Sequence, residues 1–354
     1  MRSVVGPGVL VAAVVVSGCG TSSSGATGSA GTMGTAGMGG AGDPGASGAT
    51  GLAGVGGPPA SLADCPVFTP DDDWNKDVSG LGVDATWTQR LNTLVGTAKI
   101  HPDFGADFGI PINVVPSTQQ AVVITFDSYP KESDPGPYPF PNASTVMIEG
   151  GAPTTCSGDC HVLVVQTGAC MLYEGYGCKI TGGSWHCANG AKWDLKKLSY
   201  GQRPKGWTSA DAAGLPIMPG IVRYAEAAAG VVKHAIRFTV KCTTDKYVKP
   251  ATHDAVPTVS ANPVCDPNNP NPMMPPMGLR VRLKASYDTS TASPVAKNVL
   301  LGLQHYGMIL ADNGSNFFFQ GDPNPGWTNA ILDELKAVPA SAFEVVAPVP
   351  PLEP

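Results

Sequence analysis

After Cys19 the 354-residue chain has no run of 18 or more apolar residues, so nothing beyond that point reads as a membrane-spanning helix. It has no excess of positive charge either. Its 22 Lys and Arg stand against 28 Asp and Glu, a formal charge of −6, and without phosphate neutralisation a nucleic-acid partner is excluded. HExxH, GxSxG and GxxxxGK[ST] patterns are missing, so the sequence announces no zinc protease, nucleophile elbow or phosphate-cradling loop. Paired CxxC spacings are missing too. Between Gly20 and Ala60 there is one charge, Asp43, and no aromatic, too little apolar surface to offset the entropy of folding.

What is present begins at the N-terminus. Arg2 gives a positive start, Val9 to Val16 an apolar stretch too short to span a bilayer, and Gly18 a small residue before Cys19. Val16-Ser17-Gly18-Cys19 resembles the lipobox of bacterial lipoproteins, which implies a signal peptide over residues 1–18 and lipidation of Cys19 as the mature N-terminus. An ordinary signal peptide is the plainer alternative. Residues 19–64 then read as the lipidated cysteine and a Gly/Ala/Ser/Thr-rich tether, about 35 Å in root-mean-square span as a flexible coil. The expected membrane partner is reached through the lipid alone, on the outer membrane or cell surface, outside the cytoplasm.

Eight cysteines remain once Cys19 is set aside: Cys65, Cys156, Cys160, Cys170, Cys178, Cys187, Cys242 and Cys265. An even set in an exported protein reads as disulfides. Five lie between Cys156 and Cys187, so at least one of these pairs outside that stretch. Local bridges within it and a Cys242–Cys265 bridge are the expectation. Zinc held by Cys156, Cys160 and His161 is the alternative that oxidation disfavours, and no metal or cofactor is assigned.

From Cys65 onward the dominant period is two. Ala121 to Phe126, Cys160 to Gln166, Ala169 to Tyr173, Val231 to Val240 and Leu279 to Tyr287 read as short antiparallel strands bounded by Gly, Pro, Asn or Asp. Leu279, Val281, Leu283 and Ala285 face a core while Arg280, Arg282 and Lys284 face away; His234, Ile236, Phe238 and Val240 share another face. Helices are few. One carries Trp87, Leu91, Leu94 and Val95 behind a Thr86 cap, one follows Ser293-Pro294 and stops at Gly307, and one runs from Asn329 to Ala337. Asp312-Asn313-Gly314 signals a hairpin between Met308–Ala311 and Phe317–Gln320. The expectation is a mainly β fold, a β-sandwich or jelly-roll-like domain with a few short peripheral helices, over residues 65–347, with a Pro-rich tail at 348–354.

His101-Pro102-Asp103-Phe104-Gly105, Glu132-Ser133-Asp134-Pro135-Gly136-Pro137-Tyr138-Pro139 and Gly206-Trp207-Thr208-Ser209-Ala210-Asp211-Ala212-Ala213-Gly214-Leu215-Pro216 are long and specific phrases. So are His234-Ala235-Ile236-Arg237-Phe238-Thr239, Pro276-Met277-Gly278-Leu279-Arg280 and Tyr306-Gly307-Met308-Ile309-Leu310-Ala311-Asp312-Asn313-Gly314. Over about Cys65 to Val346 they resemble a family of secreted bacterial proteins of unassigned activity. The resemblance implies no reaction and no site residues, and the stretch from Cys156 to Cys187 is richer in cysteine than that family's pattern.

Chemistry must then be argued from residue type and spacing. His101 with Asp103, and Asp159 with His161, are two apart in extended segments, so each pair points one way, as a catalytic pair or as a hydrogen-bonded loop. Glu132 and Asp134 near Tyr129 and Tyr138, with Glu149 and Glu174 near strand ends, supply the carboxyl groups and aromatics a glycosidase needs. Arg280, Arg282 and Lys284 repeat along one strand face and require an anionic answer. That answer is either acidic side chains across the sheet or, with Arg237 and Arg223, the carboxylates or sulfates of an acidic polysaccharide. The expected function is binding or cleavage of extracellular acidic polysaccharide by a hydrolase or lyase. Arg237, Arg280, Arg282 and Lys284 are the binding candidates, His161 or His253 the proton carrier, and Glu174 the catalytic carboxylate. A non-catalytic adhesion or envelope-interaction lipoprotein is the alternative. Convergence of the named His and carboxylate side chains in one concave pocket favours the enzyme, and scatter over the surface favours adhesion.

Overall fold

A computed structural model describes residues 61–255, Cys265 and residues 274–354, so the leader, Cys19 and the tether up to residue 60 lie outside the described residues. In chain order the strands are β1 (Ser61–Leu62), β2 (Cys65–Pro66), β3 (Gly82–Val83), β4 (His101–Asp103), β5 (Ile112–Val115), β6 (Ile124–Phe126), β7 (Val162–Gln166) and β8 (Met171–Tyr176). They continue as β9 (Lys179–Thr181), β10 (Ser184–Cys187), β11 (Asn189–Asp194), β12 (Ile236–Val240), β13 (Arg280–Leu283), β14 (Met308–Asn313), β15 (Phe318–Gln320) and β16 (Phe343–Ala347). The helices are α1 (Ala85–Val95), α2 (Tyr224–Ala229), α3 (Pro294–His305) and α4 (Asn329–Lys336). The chain is mainly β with a few short helices.

A seven-stranded sheet runs β3-β16-β13-β14-β12-β15-β4, a four-stranded sheet β11-β8-β7-β5 and a three-stranded sheet β6-β10-β9, and none of them closes into a barrel. Alternation explains the large sheet. Ile236, Phe238 and Val240 of β12, Val281 and Leu283 of β13, and Leu310 of β14 are buried and share one core with Leu163 and Val165 of β7 and Leu172 of β8. Both large sheets therefore contribute to a single apolar cluster. A second, smaller cluster gathers Tyr138, Phe140 and Trp185 beside β6 and β10.

Three expectations about local structure are corrected. The strands are not all antiparallel: β12 with β14, β5 with β7, β4 with β15 and β6 with β10 are parallel pairs. The Asp312-Asn313-Gly314 segment is not a hairpin, because β14 and β15 lie on opposite sides of β12. The connection straddles β12 instead, with Gly314 N–H donating to Val240 O and Phe317 N–H to Thr239 O. The cap of α1 is Asp84, whose carboxylate accepts from Trp87 N–H at 2.8 Å, and Thr86 lies inside the helix. In α3, Pro294 follows Ser293 as expected, Val299 and Leu303 are buried, and the chain leaves the helix through Gly307 at φ +67.

All eight candidate cysteines pair. Cys156–Cys160 and Cys178–Cys187 are local, Cys242–Cys265 is as anticipated, and Cys65–Cys170 is the bridge that leaves the cysteine-rich stretch. One residue of the Pro-rich tail is tied down as well: Glu353 exchanges backbone hydrogen bonds with Tyr247, and its carboxylate pairs with Lys205.

Cys65–Cys170 spans 105 residues and Cys156–Cys160 only 4, so closing the first loop restricts the unfolded chain far more. Replacing the first pair by alanine is expected to lower unfolding free energy by about 5 kcal/mol, and the second pair by about 2 kcal/mol. Urea titration of the two double variants checks the order, and equal losses would refute it.

Candidate functional site

The pleat of the large sheet gives it a polar face opposite the core. Pairing of Thr239 with Phe318 and of Phe318 with His101 sets these three in one row, and Gln320 with Asp103 in the next. His101 stacks on Phe318 with ring centroids 4.1 Å apart. Arg237 Nη1 donates to Gln320 Oε1 at 2.5 Å, which extends the second row across β12. Asp312 pairs with Thr239 and enters the same face.

A wall rises over this floor from the segment that enters β7. Glu149 N–H donates to His161 O at 3.1 Å, and Ile148 bridges Gly151, so the 148–151 turn lies against the start of the strand. His161 Nδ1 contacts Glu149 Oε2 at 2.5 Å, and its Nε2 contacts Ala210 O at 3.1 Å. Both partners accept only, so the doubly protonated ring satisfies every bond and both protons are committed. Below lies the 208–217 loop, whose Asp211 receives Arg237 in a two-point contact, Nε to Oδ2 at 2.7 Å and Nη2 to Oδ1 at 2.6 Å.

Asp103, Glu149, Asp159, His161, Arg237 and Asp312 thus line one cavity of about 220 Å3. Their protonation is set by opposing forces. Burial would lower His161, yet the Glu149 carboxylate outweighs it and holds His161 up at about 9. Burial would raise Glu149, and His161 outweighs it in turn, so Glu149 lies below the usual carboxylate range. Asp312 goes the other way. Its desolvated position, together with the negative charge of Asp211, pushes it up to about 7 against the pull of Arg237. Asp103 is also raised by burial, a hydrogen bond from Gln320 notwithstanding. Arg237 is held above its ordinary value, since Asp211 more than cancels the burial that lowers it.

The sequence candidates divide sharply by position. His161, Arg237, Asp103, Asp159 and Glu149 come together, and Asp312 of the turn signal, Asp211 of the 206–216 phrase and Gln320 of the Phe317–Gln320 strand join them. Glu174 is elsewhere, fully buried, accepting from Ile217 N–H at 2.9 Å, Met218 N–H at 2.8 Å and Trp193 Nε1 at 3.1 Å. Burial pushes it up to about 7 in spite of those donors. His253 contacts Ala212 O through Nδ1 at 2.8 Å and is not part of the cavity wall. Glu132 and Asp134 bind the buried Arg203 and the Thr208 and Lys192 amides, fastening one loop to another.

The basic strand face does not join the cavity. Arg280 donates to Tyr306 O at 3.1 Å, to Asp73 O at 2.5 Å and to Lys76 O at 2.9 Å. Arg282 reaches Glu344 across the sheet at 2.9 Å and the carbonyls of Val78 and Ser79, and Lys284 donates to Ser341 O at 2.8 Å. Arg223 is spent on Glu226. These cations answer carbonyls and two carboxylates, Glu344 and Glu226, of the protein itself. Cys156 and Cys160 are bonded to each other, which removes them as zinc ligands. Among the described residues, no three His, Cys, Asp or Glu side chains form a group suited to a metal ion, and no helix is long and apolar enough to cross a membrane.

A histidine whose folded pKa, about 9, exceeds the unfolded value of about 6.5 adds stability that is complete below about 6.5 and lost as pH rises through about 9. The amount is on the order of 3 kcal/mol. Urea unfolding of the wild type and His161→Gln at pH 6, 7.5 and 9.5 is expected to show the gap between them shrinking with pH. A gap that stays constant would refute the imidazolium.

Compared with protein-family models, curated proteins and solved structures, the chain matches none.

Proposed function

We propose that this is an exported, lipid-anchored glycoside hydrolase in which Asp312 is the general acid and Glu149 the ionised carboxylate of the same cavity. The observation that carries the reading is that two carboxyl groups in one cavity are pushed in opposite directions, Asp312 up to about 7 and Glu149 below its usual range. Glycosidic cleavage needs that division of labour: a protonated carboxyl at the leaving oxygen and a charged one that activates water or attacks the sugar. Of the His and carboxylate side chains read from the sequence, Asp103, Glu149, Asp159 and His161 meet in this cavity with Asp312, which supports catalysis over adhesion, while Glu174, His253, Glu132 and Asp134 lie elsewhere.

A lyase is less well supported. It needs a free base and a cation aimed at a uronate, whereas His161 has both protons engaged and Arg237 is held by Asp211 and Gln320. The expectation of an anionic polysaccharide rested on Arg280, Arg282 and Lys284, whose donors are already taken by the protein. Export is supported by four disulfides, which persist in oxidising compartments. Lipidation of Cys19 rests on the lipobox resemblance, and labelled fatty acid incorporated by the wild type and lost in Cys19→Ala is its measurement.

Incubating the full chain with neutral, amino-sugar and uronate polysaccharides, and measuring reducing ends, tests the hydrolase. Asp312→Asn and Glu149→Gln are each expected to lower kcat about 10²- to 10⁴-fold. Since Asp312 acts protonated, kcat/KM should fall as pH rises past about 7, and Asp312→Asn should abolish that limb. Absence of reducing ends from every glycan, or ultraviolet-absorbing unsaturated uronides as the product, would overturn the reading.

A further inference from the structure

Two cavities meet at one pair of carboxylates. The inner one holds the reacting groups, and an outer one of about 440 Å3 shares Asp103 and Glu149 with it and extends beyond them between Phe108, Pro111, Ile148 and Pro323. A lone exposed aromatic on a protein surface carries little information. Phe108 differs because it is 55 % exposed and lines the outer cavity. Gly105 N–H donates to Phe108 O at 2.8 Å, and a Cβ on Gly105 would lie 2.5 Å from the Phe108 ring, so the ring rests on bare backbone. On its other side Gly109 takes φ +136, and a Cβ there would lie 2.5 Å from Gly321 O. Phe108 thus puts exposed apolar area on the cavity wall, over bare backbone.

Charge narrows what fits. Asp103, Asp107 and Glu149 line the outer cavity, and among the described residues no Lys, Arg or His does. A uronate or sulfated ring placed there meets like charge from all three carboxylates. A neutral ring, or one bearing an amine, meets no such penalty.

We propose that the outer cavity is a second sugar subsite, which takes the ring adjoining the scissile bond with its apolar C–H face on Phe108 and selects neutral or amino sugars over acidic ones. The assignment rests on the inner cavity being the reacting centre. It makes the enzyme one that requires at least two linked rings, and it places the specificity in Phe108 and Asp107, neither of which takes part in the reaction.

The test is calorimetric titration of the full chain carrying Asp312→Asn, which keeps the probes intact, with cellohexaose, N-acetylglucosamine hexamer, glucosamine hexamer and an alginate hexamer. At least one of the first three is expected to bind, with alginate about tenfold weaker or worse. Adding Phe108→Ala should weaken that hexamer about fivefold or more, Phe108→Trp should keep it, and Asp107→Lys should narrow the gap to alginate. Equal or tighter binding of alginate, no hexamer bound, or unchanged affinity in Phe108→Ala overturns the subsite; an unaltered Tm establishes that each variant is folded. The two readings fail separately. Phe108-dependent binding without turnover by the wild type supports the subsite and sinks hydrolysis, while turnover with a KM indifferent to Phe108→Ala sinks the subsite and leaves hydrolysis standing.

Discussion

A guanidinium almost without contact with water organises the polar side of this protein. Arg237 is 3 % exposed, and stripping a cation of its hydration costs several kcal/mol unless partners of opposite charge and good geometry replace the water. Asp211 supplies the two-point contact, Gln320 takes a third donor, and Asp312 lies 3.8 Å away. These partners come from the 208–217 loop, β15 and β14. Once β12 carries an arginine on its polar face, the neighbouring segments have little freedom in where they lie. The same requirement draws the loop under His161, because Ala210 O, which accepts from His161, immediately precedes Asp211.

The charge that Arg237 brings in is smaller than the charge that gathers round it. Asp211 holds the two short bonds to that cation, and burial first and the Asp211 charge second push Asp312 up to about 7. Glu149 has the His161 cation beside it. Two carboxyl groups of the same chemistry thus diverge because the cations beside Glu149 outweigh its burial and the pull of Arg237 on Asp312 does not. A divergence of this kind is what acid and base roles at a single pH require.

The two sides of the large sheet were unequally legible. The apolar one follows from alternation: Val281 and Leu283, and Ile236, Phe238 and Val240, are each two apart on a strand, and any sheet that buries one buries its companions. Ala285 departs from that reading only because β13 ends at Leu283. On the polar side, Arg282 meets Glu344 across the sheet, the acidic answer that alternation allowed, whereas the carbonyls of Asp73, Lys76, Val78 and Ser79 that take the other donors of Arg280 and Arg282, apart from those on Tyr306 O, lie some two hundred residues earlier. A carbonyl leaves no mark in the sequence, so a pattern of side chains cannot reveal that a cation is already satisfied. Glu174 misled for a related reason, its partners being the backbone amides of Ile217 and Met218. His161, Asp159, Asp103 and Arg237 were recognisable as reactive types, and their meeting depends on contacts far apart in the chain.

Asp312 was hidden more deeply, since its placement depends on a single irregularity. Along β12 and β14, Ile236 pairs with Met308, Arg237 with Ile309 and Phe238 with Leu310, after which Thr239 pairs with Asp312 and Ala311 is passed over. In unbroken register Thr239 would oppose Ala311, and Asp312 would fall beside Val240 on the core side, where a carboxyl group finds only hydrocarbon. The extra residue transfers Asp312 to the face that already holds Arg237. Ala213 N–H donates to Ala311 O at 2.9 Å, so the loop that carries Asp211 also fastens the bulge. One short segment thereby supplies the counter-charge for Arg237, the acceptor for His161 and the clasp that delivers Asp312. The Asp-Asn-Gly turn signal was real as local chemistry, but which side of the sheet its aspartate joins was decided one residue earlier, by a bulge with no sequence signature of its own.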